Sequence, residues 1–170
     1  MPEPMLVRDV MRIGVPTCRP EEPVETVARQ MVEQNYTAIV VLDEDNDSRG
    51  WIGERHLANA YVRLARQTPT GEADVRPTLT AADIMDERVP ECPVDIPLEA
   101  AFQIMTDLDA DHLFFLHHAA GRAWPASVIN LRDVVRALAG PEFVRDQGTA
   151  APRPTPMDLF RQRYGLPKKT

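Results

Sequence analysis

The chain has 170 residues, 44% of them hydrophobic and 6% aromatic, and a formal net charge of −7 at pH 7. That length suits one shared core better than two independent domains, and its longest fully apolar run, five residues at 38–42, is far short of the roughly 18 needed to cross a bilayer. Residues 150–170 carry five basic side chains against Asp158, a net +4 that leaves −11 on the remainder, and an acidic body lacks the clustered Lys and Arg that hold nucleic acid.

Asp9-Val10-Met11 opens the first element, a short helical segment. Residues 16–20, Pro-Thr-Cys-Arg-Pro, read as extended, because proline disfavours helix in the residue before it. Pro23 suits a helix start, and Glu25 suits its positive end. Val24, Val27, Ala28, Met31 and Val32 then recur at helical spacing and predict one buried stripe. Asn35-Tyr36 ends that helix. Residues 38–42 are short and β-branched, a buried strand, and 43–50 form a turn before a brief strand at Trp51-Ile52. A helix follows from 54 to about 67, with Leu57, Tyr61, Leu64 and Ala65 on one face. Residues 68–79, with Pro69, Gly71 and Pro77, read as a linker.

The sequence then starts again. Asp83-Ile84-Met85 stands 74 residues after Asp9-Val10-Met11, and the same step carries Val15-Pro16 onto Val89-Pro90, Cys18 onto Cys92, Pro23 onto Pro97 and Met31 onto Met105. A fixed offset means one supersecondary unit used twice. The second helix repeats the stripe as Leu98, Ala101, Phe102, Met105 and Leu108. His112 to Leu116 is the second buried strand, 117–121 its turn, 124–129 the next strand and 131–138 the last helix. By then the offset is 77, so this copy holds three extra residues. The division is 1–67 for the first repeat, 68–79 for the linker, 80–139 for the second repeat and 140–170 for a Pro-rich segment with a C-terminal helix. Met157, Phe160 and Tyr164 make residues 156–164 an amphipathic helix, expected to dock on the acidic body.

D-[VI]-M before a V-P strand, with I-x-x-R-[DH] entering the last helix, resembles the tandem CBS-domain pair, or Bateman module, over roughly residues 5–139. The resemblance implies an α/β (α+β) fold of two β-α-β-β-α repeats packed as a pseudo-twofold pair. It also implies a stand-alone regulatory module with an adenosine-nucleotide cleft between the repeats, a homodimer, and a regulated partner protein. In the family a Thr/Ser-x-x-Asp segment opens the last helix; its carboxylate receives the ribose hydroxyls, and its hydroxyl residue helps hold phosphates at a helix N-terminus. Here Asp133 takes the ribose position and Asn130 the hydroxyl position, with Arg132 within reach of phosphate. His112, Leu113 and Phe114 fall in the adenine-reading segment. In the first repeat His56 replaces the ribose Asp and Gly53 the Thr/Ser, with Thr37 and Ala38 as further candidates. A neutral imidazole accepts one hydrogen bond where a carboxylate accepts several, so one working site, in the second repeat, is expected. Asp133 can equally serve only to start its helix, and Arg55 and Arg132 can pair with acidic residues instead of phosphate. The alternative to a nucleotide sensor is a dimeric interaction scaffold whose sites have decayed.

Little points to catalysis. Ser48 and Ser127 are the only serines, and neither lies in a Gly-x-Ser-x-Gly elbow. No Gly-rich phosphate loop occurs. His112, His117 and His118 have no carboxylate or cysteine at a metal-ligand spacing, and His117-His118 read as solvated turn residues. Cys18 and Cys92 read as small reduced core thiols, and Trp51 and Trp124 as core or interface anchors. No secretory leader opens the sequence. The expectation is a soluble cytoplasmic protein, not an enzyme, with no required cofactor, no metal, no nucleic-acid partner and no membrane partner.

Overall fold

The computed structural model describes residues 4–67 and 78–145. The C-terminal helix expected at 156–164 and most of the linker lie outside them. Two three-stranded sheets face each other, each backed by helices. One takes β2 (Thr17–Cys18), β3 (Ala38–Leu42) and β4 (Ser48–Gly53), with β2 parallel to β3 and β4 antiparallel to it. The other is antiparallel throughout, in the order β1 (Arg12–Ile13), β6 (Arg122–Asn130), β5 (His112–Ala119). The helices are α1 (Val7–Val10), α2 (Val24–Glu33), α3 (Glu54–Gln67), α4 (Ala81–Ile84), α5 (Leu98–Asp107), α6 (Leu131–Ala139) and α7 (Pro141–Arg145). The mixed α/β pair expected from the repeat is the fold observed.

The repeats exchange their opening segments. β1 enters the sheet of the second repeat, pairing Arg12 with Val128. At the position related to Arg12 by the 74-residue step, Asp86 bridges to Trp51 in the first sheet. The short helices follow suit. Val7 and Val10 of α1 pack with Leu98, Ala101, Met105, Leu113 and Ile129 of the second repeat, whereas Ala81 of α4 packs with Val27, Met31, Ile39 and Ile52 of the first. The motif aspartates hold both short helices by the same device. Asp9 accepts the N–H of Leu6 at 2.9 Å, and Asp83 accepts that of Thr80 at 2.8 Å, which satisfies donors that a helix start leaves unpaired. Between the sheets Val40, Trp51, Phe114, Leu116 and Val128 form a third core that belongs to both repeats. Each half therefore completes the other.

The helix stripes are narrower than predicted. Val24, Val27 and Met31 are buried, as are Leu98, Ala101 and Met105, but Val32, Phe102 and Leu108 are exposed. In α3 Ala60 replaces Tyr61 on the inner face. The predicted turn at 117–121 is a correction. β5 runs on to Ala119, with His117 opposite Trp124 and His118 opposite Ala123, so both histidines are strand residues, although exposed. The turn shrinks to Ala120 and Gly121, both with positive φ (51° and 75°), the geometry that matches a tight hairpin to strand twist. β4 likewise begins at Ser48, inside the predicted turn. Trp51 is the core anchor expected, while Trp124 is partly exposed beside His117. Cys18 and Cys92 are unpaired and buried in separate cores, and burial pushes their thiols up to about 12 and about 11.

Candidate functional site

The exchange creates two clefts, each built from both repeats. The first is a cavity of about 330 Å³ at the start of α6, where Asn130, Arg132 and Asp133 meet Arg12, Tyr36, Thr37 and Ala38. The last helix starts there with a reciprocal cap. Asp133 accepts the Asn130 N–H at 2.9 Å, and Asn130 Oδ1 accepts the Asp133 N–H at 3.2 Å. Arg136 donates to the other carboxylate oxygen at 3.3 Å. Asp133 is 2% exposed, and this burial raises its pKa against the opposing pull of the Asn130 N–H and of Arg136. The helix-start role is thus realised. Arg12 lies over the Tyr36 ring, 3.7 Å from its centroid, and donates to the Asn35 carbonyl at 2.6 Å. Three arginines face two carboxylates here, Glu54 and Asp133, so the cleft suits an anion.

The second cleft, about 520 Å³, lies against the start of α3 and joins Trp51, Arg55 and His56 to residues 86–91 and 107–111. His56 repeats the capping geometry of Asp133 with different chemistry. Its Nδ1 accepts the Gly53 N–H at 2.9 Å, and burial lowers its pKa, so the neutral ring is the form that caps. Five carboxylates stand against Arg55 and Arg88, which disfavours phosphate.

The residues expected to form each repeat's site are therefore divided. Asp133, Asn130 and Arg132 share a cleft with Thr37 and Ala38, the candidates read as belonging to the other repeat. His56 faces the loop of the second repeat. His112, Leu113 and Phe114 line neither cleft. Leu113 and Phe114 are core residues, and the Phe114 backbone is engaged with Pro90 and Cys92. Strand alternation sends successive side chains into the two cores. Tyr36 and Arg12 were not anticipated. The 74-residue step that places Arg12 level with Asp86 was the available signal, and it becomes readable only once the exchange is known.

Among the described residues no group of His, Cys, Asp and Glu could hold a metal ion, and no helix is long and apolar enough to cross a membrane.

The description "CBS domain" matches residues 7–63 and 81–140. Solved structures agree in fold. The CBS domain pair of protein MJ0100, in complex with 5′-methylthioadenosine and S-adenosyl-L-methionine, superimposes with a TM-score of 0.65 at 16% identity, over 81% of this chain and 98% of that one. The CBS-domain containing protein ATU1752 from Agrobacterium tumefaciens gives 0.60 at 24% identity, over 79% and 99%. A putative signal-transduction protein with CBS domains from Burkholderia ambifaria MC40-6 gives 0.57 at 21%, over 79% and 85%. No curated protein matches the chain.

Proposed function

The chain belongs to the CBS-domain family, as a tandem pair, and on that premise we propose that it is a non-enzymatic regulatory module that binds an adenosine-containing nucleotide in the Asp133 cleft. One observation carries this reading: a buried carboxylate and three arginines converge at the N-terminus of α6 in a cavity of about 330 Å³. Helix N-termini favour anions, and a carboxylate is the acceptor that ribose hydroxyls need. Asp133 takes the ribose, and Asn130 and Arg132 face the phosphate. The adenosyl ligands of the MJ0100 complex support this class of ligand. AMP, ADP, ATP, NAD and S-adenosylmethionine are the candidates.

Signalling requires a partner, and exposed apolar side chains on the last helix of each repeat supply a surface. Tyr61 is 76% exposed, Val135 63% and Leu138 88%. The module acts as a homodimer through these helices, and ligand biases the angle between repeats toward or away from a regulated protein in the cytoplasm. The same exposed residues favour a second reading, a dimeric scaffold without ligand, which His56 in place of a carboxylate also suits. Thermal-shift titration separates the two. A sensor melts higher as one of the five nucleotides rises, through preferential binding to the native state. A scaffold shows no ligand-dependent rise at millimolar concentration.

A further inference from the structure

The two clefts are joined by a chain of hydrogen bonds that runs through a buried histidine. Asn130 Nδ2 donates to Thr37 Oγ1 at 3.1 Å. Thr37 Oγ1 lies 2.8 Å from His112 Nε2, and His112 Nδ1 lies 2.8 Å from Asp111 Oδ1. Asn130 and Thr37 line the Asp133 cleft, and Asp111 lines the other. His112, between them, is 3% exposed. The chemistry gives the chain one polarity. An ionised carboxylate only accepts, so the His112 nitrogen that faces Asp111, Nδ1, carries a proton, and in the neutral ring Nε2 is then bare. Thr37 then donates its hydroxyl hydrogen to Nε2 and receives the Asn130 amide on its lone pair. Asn130 is also the cap of α6, bonded both ways with Asp133. A ring whose tautomer is set by the partner of its other nitrogen has two discrete states, as a coupling element requires.

We propose that His112 is a positioning residue that couples the clefts: an occupant that engages Asp111 on one side changes how firmly Asn130 and Asp133 are set on the other. When Asp111 is drawn away, the Nδ1–H loses its acceptor and the alternative Nε2–H tautomer gains weight. Thr37 Oγ1 then faces a donor where it had an acceptor, its hydroxyl hydrogen must turn elsewhere, and its two lone pairs must hold both the Nε2–H and the Asn130 amide. The direction from which the Asn130 amide is received changes, and with it the cap that orients Asp133. Binding at the Asp133 cleft weakens as a result, and linkage makes the effect mutual.

Asp111→Ala cuts the chain from the far cleft, and Asp109→Ala is its charge control, since Asp109 lies on the same loop and also faces Arg55. Three readouts apply: the His112 ring tautomer by long-range ¹H–¹⁵N correlation, the exchange rate of the Asp133 amide, and AMP affinity by calorimetry. In Asp111→Ala the Nδ1–H tautomer gives way, the Asp133 amide exchanges at least about fivefold faster, and AMP binds at least about fivefold more weakly, the lower end of ordinary coupling. In Asp109→Ala the first two stay as in the wild type, and AMP binding is unchanged or tighter because only a repelling charge has gone. Thr37→Val, nearly isosteric, tests the chain from its other end by moving the ¹³C carboxyl shift of Asp111. The AMP arm rests on the nucleotide site proposed above. If wild-type protein does not bind AMP, whichever of the five candidates binds takes its place, and if none binds that assignment falls, while the tautomer and exchange arms still decide the relay. An unchanged tautomer and unchanged Asp133 exchange in Asp111→Ala, or equal effects from Asp109→Ala, would overturn the coupling.

Discussion

Phe114→Ala tests the shared core between the repeats. The ring is fully buried, 5.6 Å from the Trp51 ring centroid, and packed with Val40 and Val128 from opposite sheets. Truncation removes the transfer energy of a phenyl ring and leaves a cavity that strands on both sides cannot collapse to fill. Such changes cost about 3–5 kcal/mol, against a total stability of about 5–15 kcal/mol. For a chain of this size each kcal/mol lowers the melting temperature by about 2–4 °C, so a fall of roughly 6–20 °C is expected. Val32→Ala, at an exposed position of α2 and outside the α3 and α6 faces, changes stability by less than about 0.5 kcal/mol. Urea titrations followed by far-UV circular dichroism and by tryptophan fluorescence measure both. Trp51 reports the shared core directly. Because each repeat contributes its opening segment to the other, both probes should show one transition. A Phe114→Ala cost below about 1.5 kcal/mol, or two separate transitions in the wild type, would refute a common core.

Four further outcomes follow from particular residues. His56 caps α3 as the neutral ring, and its folded pKa lies below the ordinary 6.5. The unfolded chain therefore binds the proton first, and stability is full above about pH 6.5 and falls as pH drops through that window toward the folded value; the urea midpoint of His56→Gln should depend less on pH between 7.5 and 5.5 than that of the wild type. Ala120 sits at φ 51°, a conformation that costs an L-residue about 1–2 kcal/mol, so Ala120→Gly should raise the urea midpoint, partly offset by added chain entropy in the unfolded state. With their thiols pushed up to about 12 and about 11, Cys18 and Cys92 should react with a disulfide reagent at pH 8 only after unfolding; rapid labelling of native protein would contradict their burial. Leu138→Asp should shift the light-scattering mass from dimer to monomer if the exposed α3 and α6 faces form the proposed interface, and an unchanged dimer mass would place that interface elsewhere.

The fold was legible because the repeat is in register through Asp9/Asp83, Pro16/Pro90 and Met31/Met105, and apolar spacing inside each copy fixed element types. The exchange of opening segments was not legible. Val10 and Ala81 are apolar, which shows that they are buried but not against which core. The hairpin was misjudged because Ala120-Gly121 is a weak turn signal beside Asn-Gly, and alternation through His117 and His118 is polar. In the candidate site, the motif brought out Asp133 and Asn130 as the start of the last helix, which is where the structure has them. It gave no sign that Thr37 and Ala38 of the first repeat line the same cleft, because side chains across the pseudo-twofold meet at separations such as the 75 residues between Thr37 and His112. Linear spacing carries no information about such contacts.

Calorimetric titration of wild type, Asp133→Asn and His56→Ala with AMP, ADP, ATP, NAD and S-adenosylmethionine tests the nucleotide assignment most directly. Asp133→Asn keeps a side-chain oxygen to accept the Asn130 N–H, so the helix start survives while the charged ribose acceptor is lost. A nucleotide site at Asp133 gives saturable binding of at least one of the five to wild type and to His56→Ala, and its loss in Asp133→Asn. No heat from any of them at millimolar concentration, or equal loss in both variants, would contradict it.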